Sequence, residues 1–428
     1  MKKIEYRDRN FYNKLKKHLS KRNQDTNQEI DISVKKILKK VQDFGDEALL
    51  KYTKKFDNFD LKINEILLSK KIRSSYKNKI DLKILDNFKH AIENVTKFHK
   101  EQIPKNYELK AYGSKLQSRW KAIESVGLYI PGGIAAYPSS LIMNVVPAKV
   151  AGVKRIVCTI PPSKLINPYI LALFDELGVE EVYQIGGAQA IAALAYGTKT
   201  INPVNKIFGP GNSYVASAKK HVFGKVGIDL IAGPSEIVVI ADEKNNSRWV
   251  ASDLMAQAEH DINAQSILIT NNSSFADKVL NNITNLIVNL PKKKIITKSL
   301  NKNGLIILVK NISDSIEIIN SIAPEHLHIH TDKNGKFIEN IHNAGCIFVG
   351  EYSSEAFGDY IIGTNHILPT FGTAKFSSGL NVLDFMKRNS IVEIDKDGFD
   401  KYENKVQQMA EIEGLDAHKL SVKIRQNK

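Results

Sequence analysis

The sequence predicts an α/β protein: two Rossmann-like (incomplete) α/β domains with parallel-sheet cores, a helical N-terminal region and a small helical C-terminal tail. Three observations carry this expectation. From about residue 120, short β-branched runs alternate with Ala-rich helical stretches, the pattern of a parallel sheet with helices on its faces. The alternation resumes after residue 235. Before residue 110, apolar residues instead recur at near-helical spacing.

In chain order, DISVKKILKKVQDFGDEALLKYTKKFD places Ile32, Val34, Ile37, Leu38, Val41 and Phe44 along one helical stripe. LKILDNFKHAIENVTKFHKEQIP repeats the pattern and stops at Pro104. SVGLYIPGG, MNVVPAKVAGV, RIVCTIPP, PYILALFDELGV and EVYQIGGAQAIAALAYG then read strand, helix, strand, helix, and strand followed by helix. After residue 235 come EIVVIADE, a helix through SRWVASDLMAQAEHD, SILITN, a helix in FADKVLNNITNLIVNL, GLIILVKN, and a helix-strand pair in FIENIHNAGCIFVG. Residues 383–428 read as polar and helical. The expected division is an arm at 1–25, a first α/β domain from 26–124 with 236–380, a second at 125–235, and a tail at 381–428.

Composition narrows the class. Of 428 residues, 43% are hydrophobic and 25% charged, as in folded globular chains and unlike disordered ones. No apolar run approaches the roughly 18 residues that cross a bilayer, and the basic start MKKIEYRDRNFYNKLKK lacks the apolar stretch of a signal peptide. With only Cys158 and Cys346, a disulfide framework is not expected and a cytoplasmic, reducing location is. The formal net charge is +15. Residues 1–120 hold 30 Lys and Arg against 16 Asp and Glu, a net of +14, so the remainder is nearly neutral. That excess is spread along helical patterns without aromatic stacking platforms, so a solvated Lys-rich face is expected and no nucleic-acid partner.

Five segments concentrate Gly, Pro and polar residues where strands are expected to end: 127–133, 186–189, 208–212, 232–236 and 358–366. Ligands of open α/β sheets bind outside the carboxyl ends of strands, and glycine there admits a ligand to the backbone. Gly209 and Gly211 are not followed by the third glycine of a dinucleotide fingerprint.

Gln257 and His260 lie three apart, on one helical face. With Asp359 and His418 they offer imidazole, carboxylate and amide donors of the kind zinc accepts, although their wide separation gives no spacing signature. Glu325 and His326 are adjacent acid and base candidates suited to two proton-removal steps. His328 and His330 follow at period two on the same strand face; a half-exposed polar strand is the competing reading. Cys158 and Cys346 sit in strand-like runs without an activating neighbour and read as core residues.

Taken together, GLYIPGG, YPSSLIMNVVPAKVAGV, YQIGGAQAIAALAYGT, KIFGPGN, IAGPSE, AQAEHD, IAPEHL, FGDYIIGTNHILPT, SSGLNVLDF and EGLDAH resemble the histidinol dehydrogenase family, in this order and from about residue 30 onward. Ser354, Phe357 and Lys375 depart from the family pattern, as does the Lys- and Asn-rich N-terminus. The resemblance implies oxidation of L-histidinol through L-histidinaldehyde to L-histidine by two NAD⁺ molecules, with one zinc per site. It implies zinc ligands at Gln257, His260, Asp359 and His418, the last donated by the partner subunit of a homodimer. His326 matches the base for the hydroxyl proton and Glu325 the residue that activates water. Ser235, His366 and Glu413 match substrate contacts, and Tyr129, Gln189 and Asn212 match NAD positions.

Overall fold

Two parallel sheets, each sandwiched by helices, form the core of this computed structural model, which describes residues 1–20, 28–111, 113–132, 137–163, 166–331 and 335–426. Gly133 of the first glycine segment, residues 21–25 of the expected arm and the last two residues of the tail lie outside these. The six-stranded sheet runs Lys2–Glu5, Leu305–Leu308, Gln265–Thr270, Glu236–Ile240, His326–Ile329, Cys346–Val349, every pair parallel. The five-stranded sheet runs Glu181–Tyr183, Arg155–Thr159, Ser125–Tyr129, Lys206–Phe208, Gly227–Ile228, again all parallel. Both carry helices on two faces, so their central strands are largely apolar; Glu236–Ile240 and Gln265–Thr270 are buried at every position.

The helix Gln28–Phe44 buries Val34, Ile37, Leu38 and Val41, while Ile32 and Phe44 are left exposed. Each buried aliphatic contributes about 1.5–3 kcal/mol. That stripe packs with Ile191, Leu194 and Val215 of the helices Gly187–Tyr196 and Ser213–Val222. The helix Leu82–Lys100 likewise joins the core around Leu141, Val145 and Phe174. These two helices pack on the five-stranded sheet, whereas Phe11–Ser20 packs on the six-stranded one; the expectation grouped 26–124 with 236–380. Sequence periodicity specifies which face a helix buries, not the partner.

Two local expectations also change. Lys2–Glu5 pairs with Leu305–Leu308, so the expected arm begins as an edge strand. Within the expected helical tail, Met386–Ile394 is a strand, antiparallel to Ser114–Ala122, which pairs in turn with Tyr107–Ala111. Ile391, Val392 and Ile394 supply its β-branched side chains, and its mostly exposed face explains the polar composition. Two helices follow, Lys396–Ile412 and Asp416–Lys423. The first buries only Gly398 and Ala410, the second nothing, leaving Val406, Met409, Ile412, Leu415, Leu420 and Ile424 exposed.

Candidate active site

The site forms where the two sheets adjoin, and their polarities there are opposite. On the five-stranded sheet it lies at carboxyl ends, as expected. Tyr129 closes the strand Ser125–Tyr129, and Gly209 follows Lys206–Phe208. On the six-stranded sheet it lies at amino ends: Ser235 directly precedes Glu236–Ile240, and Glu325 precedes His326–Ile329. The segment 232–236 thus leads into a strand, where a strand end was expected. Gln257 and His260 come from the end of the antiparallel helix Ser247–Ala258 and the turn after it.

On the first side, Tyr129 is buried, its hydroxyl accepts from Gly187 N–H at 3.2 Å, and burial pushes that hydroxyl up to about 12. Gln189, also buried, donates to Asp57 Oδ2 at 3.3 Å. Asn212 caps the helix Ser213–Val222 by accepting from Tyr214 and Val215 N–H at 3.1 and 3.2 Å. Gly209 has φ +110, and a Cβ there would stand 2.1 Å from Tyr129 O, so only glycine lets this turn lie against the strand. Lys219 ties the turn down: it pairs with Asp229 and donates to Gly209 O and Leu230 O, both at 3.0 Å. Backbone amides, an amide side chain and a tyrosine around a tight glycine turn at strand ends suit a nucleotide.

On the second side, the helix Ser315–Ile322 ends at Ala323, whose φ of 52 turns the chain into Pro324 and Glu325. Glu325 Oε2 accepts from Glu236 N–H at 2.7 Å and lies 3.7 Å from His326 Nδ1. His326 Nδ1 faces two oxygens. One is Glu236 O at 3.1 Å. The other is the Gln257 side-chain oxygen at 3.1 Å, with the amide oriented so that its nitrogen donates to Glu355 Oε1 at 3.0 Å. Nδ1 therefore carries the proton, and Nε2 presents a lone pair. Nε2 is buried, makes no hydrogen bond, and stands 3.8 Å from Asp359 Oδ1. Burial lowers the His326 pKa, against an upward pull from Asp359, so the ring is a neutral base at physiological pH.

His366 donates from Nδ1 to Asp359 O at 3.0 Å and accepts from Ser140 Oγ at 3.3 Å, joining the two halves. Exposed His260 stacks on Tyr137 with ring centres 6.5 Å apart. Gln257, Glu325 and Asp359 thus surround His326, and His260 and His366 lie within electrostatic reach of it, while Ser235 adjoins Glu236. Glu413 and His418 stand apart on the exposed tail. The donor types at Gln257, His260 and Asp359 fit a borderline metal, and the buried Nε2 of His326 beside Asp359 has no hydrogen-bond partner.

Sequence reasoning missed Glu236, whose amide, carbonyl and carboxylate each brace a neighbour; the carboxylate Oε1 accepts from Phe371 N–H at 3.0 Å. It also missed Glu355, whose carboxyl is raised well above the ordinary range by burial and by Asp359, Asp253 and Glu325. No periodicity marks either. Both cysteines are free. Burial raises both thiols, Cys158 strongly and Cys346 to about 11, so neither is an activated nucleophile. His328 and His330 share a face with His326 but are fully buried, not half-exposed. With Asp253 they form a candidate metal-binding triad whose donor atoms lie within 4.8 Å of one another, distinct from the expected ligand set.

The family model described as "Histidinol dehydrogenase" matches residues 20–426. The chain is 46% identical over 422 residues to a Brucella abortus (strain 2308) protein named histidinol dehydrogenase, covering 98% of each. To a Clostridium acetobutylicum protein of that name it is 47% identical over 410 residues, 95% of each. The crystal structure of histidinol dehydrogenase from Elizabethkingia anophelis superposes with a TM-score of 0.94 at 34% identity, covering 100% of this chain and 98% of that one. Among the described residues, no helix is long and apolar enough to cross a membrane. With fold, motif order and the braced Glu325–His326 pair all in agreement, the chain is an enzyme of the histidinol dehydrogenase family.

Proposed function

We propose that the chain carries out the four-electron oxidation of L-histidinol, through L-histidinaldehyde, to L-histidine, with water supplying the second oxygen and two NAD⁺ leaving as NADH. The balance is histidinol, two NAD⁺ and water giving histidine carboxylate, two NADH and three protons. The observation that carries this reading is His326, whose Nδ1–H is held by Glu236 O while Nε2 is buried without a partner.

His326 Nε2 takes the hydroxyl proton as hydride departs from the adjacent carbon, and Glu236 keeps the ring aimed. Glu325, fixed through Oε2 by Glu236 N–H, removes a proton from the water that adds to the aldehyde. The resulting diol loses its second hydride with His326 again accepting the proton. The raised thiols of Cys158 and Cys346 support water, not sulfur, as the nucleophile. Gln257, His260 and Asp359 would hold a zinc ion, which when bound orients and polarises the substrate. Tyr129, Gln189 and Asn212 line the side that takes NAD. Ser235 and His366 contact the substrate.

His418 and Glu413 complete the site from the partner subunit of a homodimer. The uncovered apolar residues of the tail support this, because such helices need a surface on which to dock. Two free thiols suit a cytoplasmic location. The test is to count NADH per histidine formed by zinc-loaded protein given L-histidinol and NAD⁺. Two is expected, and one would overturn the reading.

A further inference from the structure

The Asp253–His328–His330 cluster sits one step behind the site. Asp253 precedes Gln257 by four residues on the helix Ser247–Ala258, a rise of about 6 Å. His328 follows His326 by two on its strand, a rise of about 6.6 Å. The two spacings match, so helix and strand are joined by two successive rungs. One is Gln257 to His326. The other is Asp253 to His328, with Asp253 Oδ2 lying 3.1 Å from His328 Nδ1 and 2.8 Å from His330 Nε2. All three residues are buried, and the two imidazoles lie with centres 3.9 Å apart at a 32° tilt.

The short contact between His330 and Asp253 favours an ion pair over a metal. A tetrahedral zinc with bonds of about 2.0–2.1 Å spreads its donor atoms roughly 3.3 Å apart, whereas His330 Nε2 is hydrogen-bonded to the Asp253 oxygen at 2.8 Å. His328 Nε2 donates to Gly350 O at 3.0 Å, and its Nδ1 also faces an oxygen. Burial alone would raise the Asp253 carboxyl, yet His328 and His330 hold it below the ordinary range.

We propose that Asp253, His328 and His330 are metal-free positioning residues, which lock the helix Ser247–Ala258 against the His326–Ile329 strand and so set Gln257 against His326. This rests on the reading of those two as site residues. Asp253→Asn keeps the shape and removes the charge; His330→Gln is the milder variant. Each is expected to lower kcat per zinc-loaded chain roughly 10–100-fold, with the KM for NAD⁺ unchanged because the nucleotide side lies on the other sheet. Crystal structures of the variants should show Gln257 and His326 displaced from their 3.1 Å contact. Ser299→Ala, which breaks a buried hydrogen bond to Ala264 O elsewhere on the same sheet, should cost stability and leave kcat intact.

Unchanged kcat and an unmoved Gln257–His326 contact in both variants would overturn the proposal. So would a second equivalent of bound metal in the wild type that either variant loses. If neither variant folds, metal counting on the wild type decides, since the proposal requires one metal per chain. If the wild type fails to oxidise histidinol, the assigned reaction falls, while the structural and metal measurements still judge the rung.

Discussion

Asp57, the last residue of the helix Asp46–Asp57, gives a prediction in which stability and cofactor binding oppose one another. Its carboxylate touches Gln189 on the nucleotide side, and burial raises its pKa from 3.8 to about 6. The folded protein therefore holds this proton more tightly than the unfolded chain does. Stability from the protonated form is fully present below pH 3.8 and is lost as pH rises through about 6. For a fully sequestered charge the rise corresponds to about 3 kcal/mol; partial exposure and solvent screening reduce that to roughly 1–2 kcal/mol. Asp57→Asn removes the charge but keeps an oxygen for Gln189. Urea unfolding should show the variant more stable than wild type by that amount at pH 7.5 and indistinguishable at pH 4. A neutral amide oxygen accepts less strongly from Gln189 than a carboxylate does, so with Gln189 proposed as an NAD contact the affinity for NAD⁺ should fall roughly 2–10-fold. A variant that is less stable at pH 7.5, or whose advantage does not change with pH, would refute the reasoning.

Glu325→Gln should slow aldehyde oxidation about 10²–10⁴-fold and alcohol oxidation less, read by presenting each substrate separately; a defect confined to the alcohol step would reverse the roles. Cys346→Ala should retain aldehyde oxidation, and loss of that step in a folded variant would restore a thiol mechanism. Cys158→Ala, at a fully buried position, should lower stability through a cavity while leaving the second step competent. A chelator should abolish activity and zinc restore it, with His260→Ala weakening zinc binding about 10-fold or more. Co-refolded heterodimers of His260→Ala and His418→Ala should recover up to about half of wild-type activity, since one site collects both lesions and the other neither; none in mass-confirmed heterodimers would rule out a shared site.

The α/β class was legible because buried parallel strands are written as short apolar runs, such as EIVVI and SILIT, separated by helical stretches. Glu325 and His326 were legible as a polar pair interrupting such a run. What periodicity does not encode is polarity: Ser235 and Glu325 open strands, whereas Tyr129 closes one, and a glycine-rich segment looks alike at either end. Nor did the sequence disclose Glu236, because its work is done largely by its backbone amide and carbonyl, which every residue possesses. The strand Met386–Ile394 hid for a different reason. It lies on a small, mostly exposed sheet, so no alternating burial imprinted its composition.

The opposed polarity of the two sheets has a consequence for a reaction that consumes two nucleotides in turn. On the reading proposed above, the nucleotide contacts hang from one sheet, while Ser235, Gln257, Glu325 and His326 hang from the other. The first reduced cofactor then departs by breaking contacts to Tyr129, Gln189 and Asn212 alone. The half-oxidised aldehyde stays seated on the opposite wall, with Glu325 beside it. A single pocket built on one sheet would have to loosen both occupants together and release a reactive carbonyl into solution. Two walls of independent origin let one partner be exchanged while the other is kept.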